Sequence, residues 1–401
     1  MRFSTSCRAI SAAALVFTGI TSAQAQDFDN EFDRQWGLRM IGVDAALAAG
    51  LNGKGVLVGV TDTGLDTLIG VHPEFIGRLN GLSFDGSTGG PLYLDSDSHG
   101  THVAGIIAAN QDGSGMMGVA SGSTIVPLLV LGGSGPIEGV DAGLGAIRYG
   151  LANGVRIFNA SWGTTGRYDQ FYDEDTGIWL DPFDRAAGIA DGAREIAMSR
   201  EVVDAGGIMV FATGNIDASV PLAVEAALPY YAPELERGWL AVTAVGPTGV
   251  QASYAQSCSV GMMWCLAAPG GDIGKVDRPA GTGDGGILST FPTNGTQDPY
   301  SYYTPDGRYV SYHGTSMAAP HVSGALAIAK QLYPNATYQQ LRTLVLNTAT
   351  DIGTAGIDEI YGWGLLNVRN MVGTADAAAG TIYAQRAWGQ AASLDQIMDS
   401  V

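Results

Sequence analysis

The chain carries a series of short, almost wholly apolar runs: Val56 to Thr61, Thr124 to Leu131, Val155 to Ala160, Ile208 to Thr213 and Leu240 to Val245. Unbroken apolarity over about five to eight residues suits strands covered on both faces, as in a parallel sheet. Between these runs the pattern turns helical over Thr101 to Ala109, Ile137 to Ala152 and Ala186 to Val203, and again over Met317 to Leu332 and Tyr338 to Asn347. The alternation predicts an α/β fold: a doubly wound, mostly parallel β-sheet flanked by helices on both faces. Two stretches break it, Gly166 to Asp184 and Gly271 to Arg308, and both read as surface insertions near a functional rim.

In such sheets ligands and chemistry collect where the strands end and the loops begin. Four segments there hold reactive side chains. Asp62 ends the first apolar run in Asp62-Thr63-Gly64; a carboxylate so placed needs a partner, although a turn aspartate is the plainer use. His99 and His102 open a small-residue helix in Asp97-Ser98-His99-Gly100-Thr101-His102, where an imidazole can act as a base near neutral pH. A zinc reading of the two histidines lacks the glutamate of a His-Glu-x-x-His helix. Gly214 and Asn215 end the fourth run, where the Asn215 amide can face a developing oxyanion or simply make a turn. Ser316 lies in Gly314-Thr315-Ser316-Met317-Ala318-Ala319-Pro320-His321. With Pro320 in a first turn the helix should begin near Ser316, putting its hydroxyl where backbone N–H groups favour negative charge. An N-cap serine is the alternative.

Composition narrows the options. The 401 residues include 39 acidic and 20 basic side chains, a net charge of −19, which speaks against a nucleic-acid partner. With 46% hydrophobic and 15% charged residues the chain is not of the disordered class. Arg2 and Arg8 precede the apolar Ala9 to Ile20, and Ala23-Gln24-Ala25 fits a cleavage site, so residues 1–25 read as a signal peptide and the protein as exported. No other apolar run reaches the ~18 residues of a spanning helix, so the mature domain is not expected to cross a membrane. In an oxidising compartment Cys258 and Cys265 are expected to form a disulfide, with two free buried thiols as the alternative. Two motifs are decoys. Gly113 to Gly118 has dinucleotide-binding spacing but follows a helix instead of a strand, and Asp95 to Gly100 starts like a calcium loop that lacks its glutamate at Ile106.

Taken together, Asp62-Thr63-Gly64, His99-Gly100-Thr101-His102-Val103-Ala104-Gly105 and Gly314 to His321 resemble the subtilisin-like serine proteases (subtilases), in the Asp, His, Ser order of that fold. The stretches Met262 to Asp272, Thr348 to Gly353 and Tyr361 to Asn367 look like passenger domains of autotransporter subtilases. The resemblance implies a peptidase domain over 26–373, an alanine-rich tail or linker over 374–401, and a Gram-negative source with the protein secreted, periplasmic or at the cell surface. A membrane β-barrel would normally follow; a removed barrel and plain secretion are both open. It further implies Ser316 as nucleophile, His99 as base, Asp62 as its orienting acid and Asn215 in an oxyanion hole, acting on protein or peptide substrates without a cofactor. Substrate backbone would pair with Gly133, Ser134 and Gly135 and with Ser161, Trp162 and Gly163, close to Gly214. Met317 beside the nucleophile would make the enzyme sensitive to oxidation. A structural calcium is implied at Glu74 and Asp112, with backbone oxygens of Asn110, Ser114 and Met116. His72, His102 and His321 read as structural. The competing reading is an exported adhesin-like binding domain on the same fold, without catalysis.

Overall fold

Seven parallel strands lie side by side in the order β10-β9-β8-β4-β1-β3-β2. They are β1 Leu57–Asp62, β2 Phe84–Asp85, β3 Thr124–Leu129, β4 Ile157–Ala160, β8 Ile208–Ala212, β9 Trp239–Val245 and β10 Cys265–Pro269. The short strands β5 Gly166–Arg167, β6 Gln170–Asp173 and β7 Ile178–Leu180 form an antiparallel meander between β4 and β8 in sequence. The computed structural model describes residues 31–376 apart from 68–70, 93, 96, 138, 164–165, 174–177, 181–185, 273–284, 294 and 298–300, together with 381–382 and 392–393. The expected signal peptide and most of the expected tail lie outside the described residues.

Unbroken apolar strands follow from burial on two sides. Val58, Val60, Ile157, Ile208, Val210, Leu240 and Val242 point into one core layer, against α3 His99–Ala108, α7 Thr315–Leu332 and α8 Tyr338–Asn347. Their neighbours Leu128, Phe158, Met209, Phe211 and Trp239 point into the other, against α4 Gly139–Ala152 and α5 Ala186–Asp204. Each such side chain contributes about 1.5–3 kcal/mol on burial, so neither face tolerates a polar residue cheaply. The N-terminal α1 Trp36–Ile41 and α2 Val43–Ala48, and α9 Val368–Asp376, close the first layer; α6 Leu228–Tyr231 is a single turn beside the second.

Three sequence expectations need correction. The sequence pattern does not predict strand β10, because Cys265-Leu266-Ala267-Ala268-Pro269 is short and poor in β-branched residues; pairing with β9 overrides that weak propensity. The segment 271–308 is not only a surface insertion. It contains β11 Ile287–Thr290 and β12 Tyr302–Tyr303, which pair antiparallel with β13 Tyr309–Tyr312, and Ser289 and Thr290 are fully buried against α3. Finally, α7 starts at Thr315, so Pro320 is its sixth residue and lies inside the helix instead of in its first turn.

Candidate active site

Asp62, with no exposed surface, ends β1, and its Oδ1 lies 2.7 Å from Nδ1 of His99, the first residue of α3. This contact needs the start of α3 pressed onto the exit of β1. A Cβ at Gly100 would fall 2.3 Å from the Gly64 carbonyl oxygen, so glycine is required there. The loop before α3 is held by a carboxylate whose sequence context points only to an incomplete calcium loop. Asp95 Oδ1 accepts from the Asp97 and Ser98 N–H groups (3.1 and 3.0 Å) and the Thr63 hydroxyl (3.0 Å). Its Oδ2 accepts from the Thr101 N–H and hydroxyl (2.9 and 2.7 Å). Asp95 thus satisfies N–H groups at a helix start that would otherwise lack partners, and it holds Ser98 at the left-handed φ of +88° just before His99. The readable signal was an aspartate four residues ahead of a histidine that opens a helix.

Ser316 and the segment after β4 are locked reciprocally. Ser316 Oγ donates to the Ser161 carbonyl (3.0 Å), and Ser161 Oγ donates to the Ser316 carbonyl (2.8 Å). The second bond exists because of Pro320. A proline four residues on has no N–H to give to the Ser316 carbonyl, and the Ser161 hydroxyl takes the acceptor instead. In this state Ser316 Oγ is turned toward Ser161. Beyond β8, Asn215 Oδ1 accepts from both the N–H and the hydroxyl of Thr315, each at 2.8 Å, which leaves its NH₂ facing away from Thr315. A Cβ built on Gly314 would lie 3.6 Å from both Asn215 Nδ2 and the Ser316 backbone nitrogen, so the two donors border one space. Gly214 has φ +111°, and a Cβ there would meet Gln256 Oε1 at 2.1 Å. Thr315 is a residue the sequence reading missed; only its place next to Ser316 hinted at it.

Burial alone would push the His99 pKa down, but the neighbouring Asp62 carboxylate, by charge and by hydrogen bond, outweighs it, and Asp97 and Asp95 add to the effect. The net direction is up. With Nδ1 bound to the carboxylate, Nε2 carries the lone pair of the neutral ring and can accept a proton. The other buried histidines hold backbone. His102 Nε2 lies 3.1 Å from both Ile287 O and Val310 O, His72 Nε2 lies 3.0 Å from Arg308 O, and His321 Nδ1 lies 2.8 Å from Met317 O. Burial lowers their pKa values to about 3, 4 and 4 respectively, so they stay neutral.

The expected substrate segments sit around this edge. Gly133 and Ser134 are exposed, and the Gly135 N–H donates to Ser87 Oγ at 3.1 Å. Ser161 is buried and Gly163 exposed. Trp162 is half-buried, donates from its indole to Thr61 Oγ1 (3.3 Å) and packs edge-on to Phe211, which makes it at least as much a packing residue as a wall. Cys258 and Cys265 form a disulfide with Cα atoms 5.7 Å apart.

The residues proposed for calcium do not fit the ion as they are arranged. The loop turns its Asp112 and Ser114 N–H groups to Glu31 Oε1 (2.8 and 2.7 Å), a pattern that suits an anion, whereas calcium needs oxygen lone pairs. The Tyr309 hydroxyl donates to Glu74 Oε1 at 2.6 Å and lies 1.9 Å from where a Gly115 Cβ would be, so it fills the loop's mouth. Among the described residues no group of three His, Cys, Asp or Glu side chains is placed to hold a metal.

A parallel sheet with an acid–imidazole pair, a serine at a helix start and an oriented amide on its carboxyl edge defines a class, the doubly wound α/β proteins with a serine-hydrolase type of site. Within that class the subtilase family profile matches residues 53–364, and the chain belongs to this family. It is 31% identical over 380 residues to an extracellular serine protease of Serratia marcescens, covering 85% of this chain and 34% of the relative. To fervidolysin of Fervidobacterium pennivorans it is 33% identical over 377 residues, covering 86% of this chain and 45% of that protein. To Subtilisin Savinase of Lederbergia lenta it is 31% identical over 334 residues, covering 83% and 96% respectively. The chain therefore spans about a third of the Serratia protein and under half of fervidolysin. The crystal structure of fervidolysin superposes with a TM-score of 0.63 at 29% identity, over 89% of this chain and 48% of the other. A lanthipeptide protease structure, at 19% identity and a TM-score of 0.65 over 87% and 97% of the two chains, shares the fold.

Proposed function

We propose that this chain is an exported serine endopeptidase whose peptidase domain spans residues 26–373. Ser316 Oγ swings from Ser161 toward His99 and attacks the scissile carbonyl. His99 Nε2 takes the hydroxyl proton and returns it to the leaving amine, and Asp62 holds the ring and stabilises its charged form. The tetrahedral oxygen is received by Asn215 Nδ2 and the Ser316 N–H, and the acyl-enzyme is then hydrolysed by the same steps in reverse order. Extended substrate pairs with the 133–135 and 161–163 segments by strand addition. The chemistry uses protein groups alone and calls for no cofactor.

The single observation that carries this reading is the 2.7 Å bond between the buried Asp62 and His99, which fixes one tautomer at the edge where Ser316 lies. The decisive variant is Ser316→Ala, assayed on casein. Hydrolysis should vanish to the uncatalysed background apart from a residual contribution of the oxyanion donors. Full casein hydrolysis by the variant would overturn the mechanism. Export is supported by the similarity to the extracellular serine protease of Serratia marcescens.

A further inference from the structure

Strand β4 runs in register between β1 and β8, and Asn159 stands in one row with Val60 and Val210. The two valines are buried in the core layer that α7 covers, and Asn159 is buried as completely, with no exposed surface. A primary amide in an apolar row costs free energy unless its atoms find partners. An aliphatic side chain would be the cheaper occupant.

The partners form one chain of hydrogen bonds between two turns of the same helix. The Ser323 hydroxyl donates to Asn159 Oδ1 (2.8 Å), Asn159 Nδ2 donates to Ser161 Oγ (2.9 Å), and the Ser161 hydroxyl donates to the Ser316 carbonyl (2.8 Å). The direction of every bond is forced from the last acceptor backwards. A carbonyl only accepts, and Pro320 leaves that of Ser316 without a helical N–H. The Ser161 hydroxyl must give its single proton there, so the group behind it has to donate, and the amide presents its nitrogen. The amide oxygen then faces Ser323, whose hydroxyl has to donate in turn. Ser161 and Ser323 are both buried, so water does not compete for these atoms.

We propose that Asn159 is a positioning residue of the active site, with Ser323 setting the orientation of its amide. The inference rests on the endopeptidase reading above. On attack the Ser316 hydroxyl leaves the Ser161 carbonyl for His99, so of the two reciprocal bonds only the one from the Ser161 hydroxyl lasts. That bond keeps residue 316, and with it the backbone N–H offered to the tetrahedral oxygen, at a fixed place relative to the exit of β4. Without the Ser323 hydroxyl the amide is free to turn over. Its oxygen then competes with the Ser316 carbonyl for the Ser161 proton, and the nucleophile loses its anchor. Asn159 touches no reacting atom and acts through Ser161.

The test compares Asn159→Leu and Ser323→Ala with wild type on one peptide substrate, with active sites counted by a peptidyl phosphonate. Each variant should lower kcat per titrated site by about two- to twelvefold, the range for one neutral hydrogen bond, with KM held. A purely structural part would instead reduce the urea midpoint and the number of titratable sites, and leave the rate per site alone. Ser161→Ala combined with Ser323→Ala should be no slower than Ser161→Ala by itself, because both cut the same chain. Should Asn159→Leu not fold, Ser323→Ala, which deletes a single oxygen, decides. An unchanged kcat per site in either folded variant, a loss seen only in KM, or losses that multiply in the double variant overturns the positioning role and leaves the endopeptidase reading intact. Wild-type protein that neither cleaves peptide nor takes phosphonate on Ser316 overturns both.

Discussion

Thr315→Val probes how the proposed oxyanion hole is held. The substitution keeps the branched shape and the backbone N–H but deletes a hydroxyl with two jobs. That hydroxyl donates to Asn215 Oδ1 at 2.8 Å and accepts from the Gly214 N–H at 3.1 Å. One neutral hydrogen bond is worth about 0.5–1.5 kcal/mol net, and a buried donor left without its acceptor costs about 1–3 kcal/mol. The Gly214 N–H therefore costs stability, seen as a lower urea midpoint. The Asn215 contact costs orientation, and if its whole value is lost in the transition state, kcat falls by about two- to twelvefold with KM little changed. Removing the donor itself with Asn215→Ala should cost about 10²–10³ in kcat, the range for loss of one oxyanion-hole donor in a member of this family. The informative assay is the double-mutant cycle on a peptide substrate, with active enzyme counted by phosphonate titration. If Thr315 acts through Asn215, the double variant is no slower than Asn215→Ala alone. Losses that multiply, or a Thr315→Val defect confined to KM, would refute the reasoning.

Further predictions concern charge, burial and the cross-link. Asp62→Asn should lower kcat by about 10⁴, and because Asp62 raises the His99 pKa, the acidic limb of the kcat/KM profile should move to lower pH. An unmoved limb would separate the two residues functionally. Glu74 has its pKa raised by burial from 4.5 to about 7, so its contribution to stability is full below 4.5 and is lost as pH rises through 7. Glu74→Gln, which can still accept from Tyr309, should raise Tm over wild type at pH 8 and lose that advantage toward pH 5. A resident cation would reverse this and would make chelators lower the wild-type Tm. Replacing Cys258 and Cys265 by serine should cost about 2–3 kcal/mol in denaturant unfolding, the value expected for closing a short loop; an unchanged midpoint would deny the disulfide its role.

The fold was legible because burial on two faces writes itself as unbroken apolar runs, as in Ile208 to Ala212, where alternate residues enter opposite core layers. The segments Asp62, His99, Asn215 and Ser316 were legible because each follows a strand or opens a helix, the places where such a sheet exposes reactive groups. What stayed hidden depends on contacts distant in sequence. Asp95 organises the His99 loop through Thr63 and Thr101, and Thr315 orients an asparagine 100 residues earlier. Neither follows from local pattern. The Tyr309 hydroxyl against Glu74, 235 residues apart, likewise changes the reading of a loop whose own residues suggested a cation. Strand β10 escaped because its pairing with β9, and not its composition, makes it a strand.

The most direct measurement is covalent. Incubated with a peptidyl phosphonate and mapped by mass spectrometry, the protein should carry one adduct, on Ser316, formed at the rate at which peptide hydrolysis disappears, and His99→Ala should abolish the labelling. An unlabelled Ser316 in folded protein, or peptide hydrolysis that survives full labelling, would contradict the account.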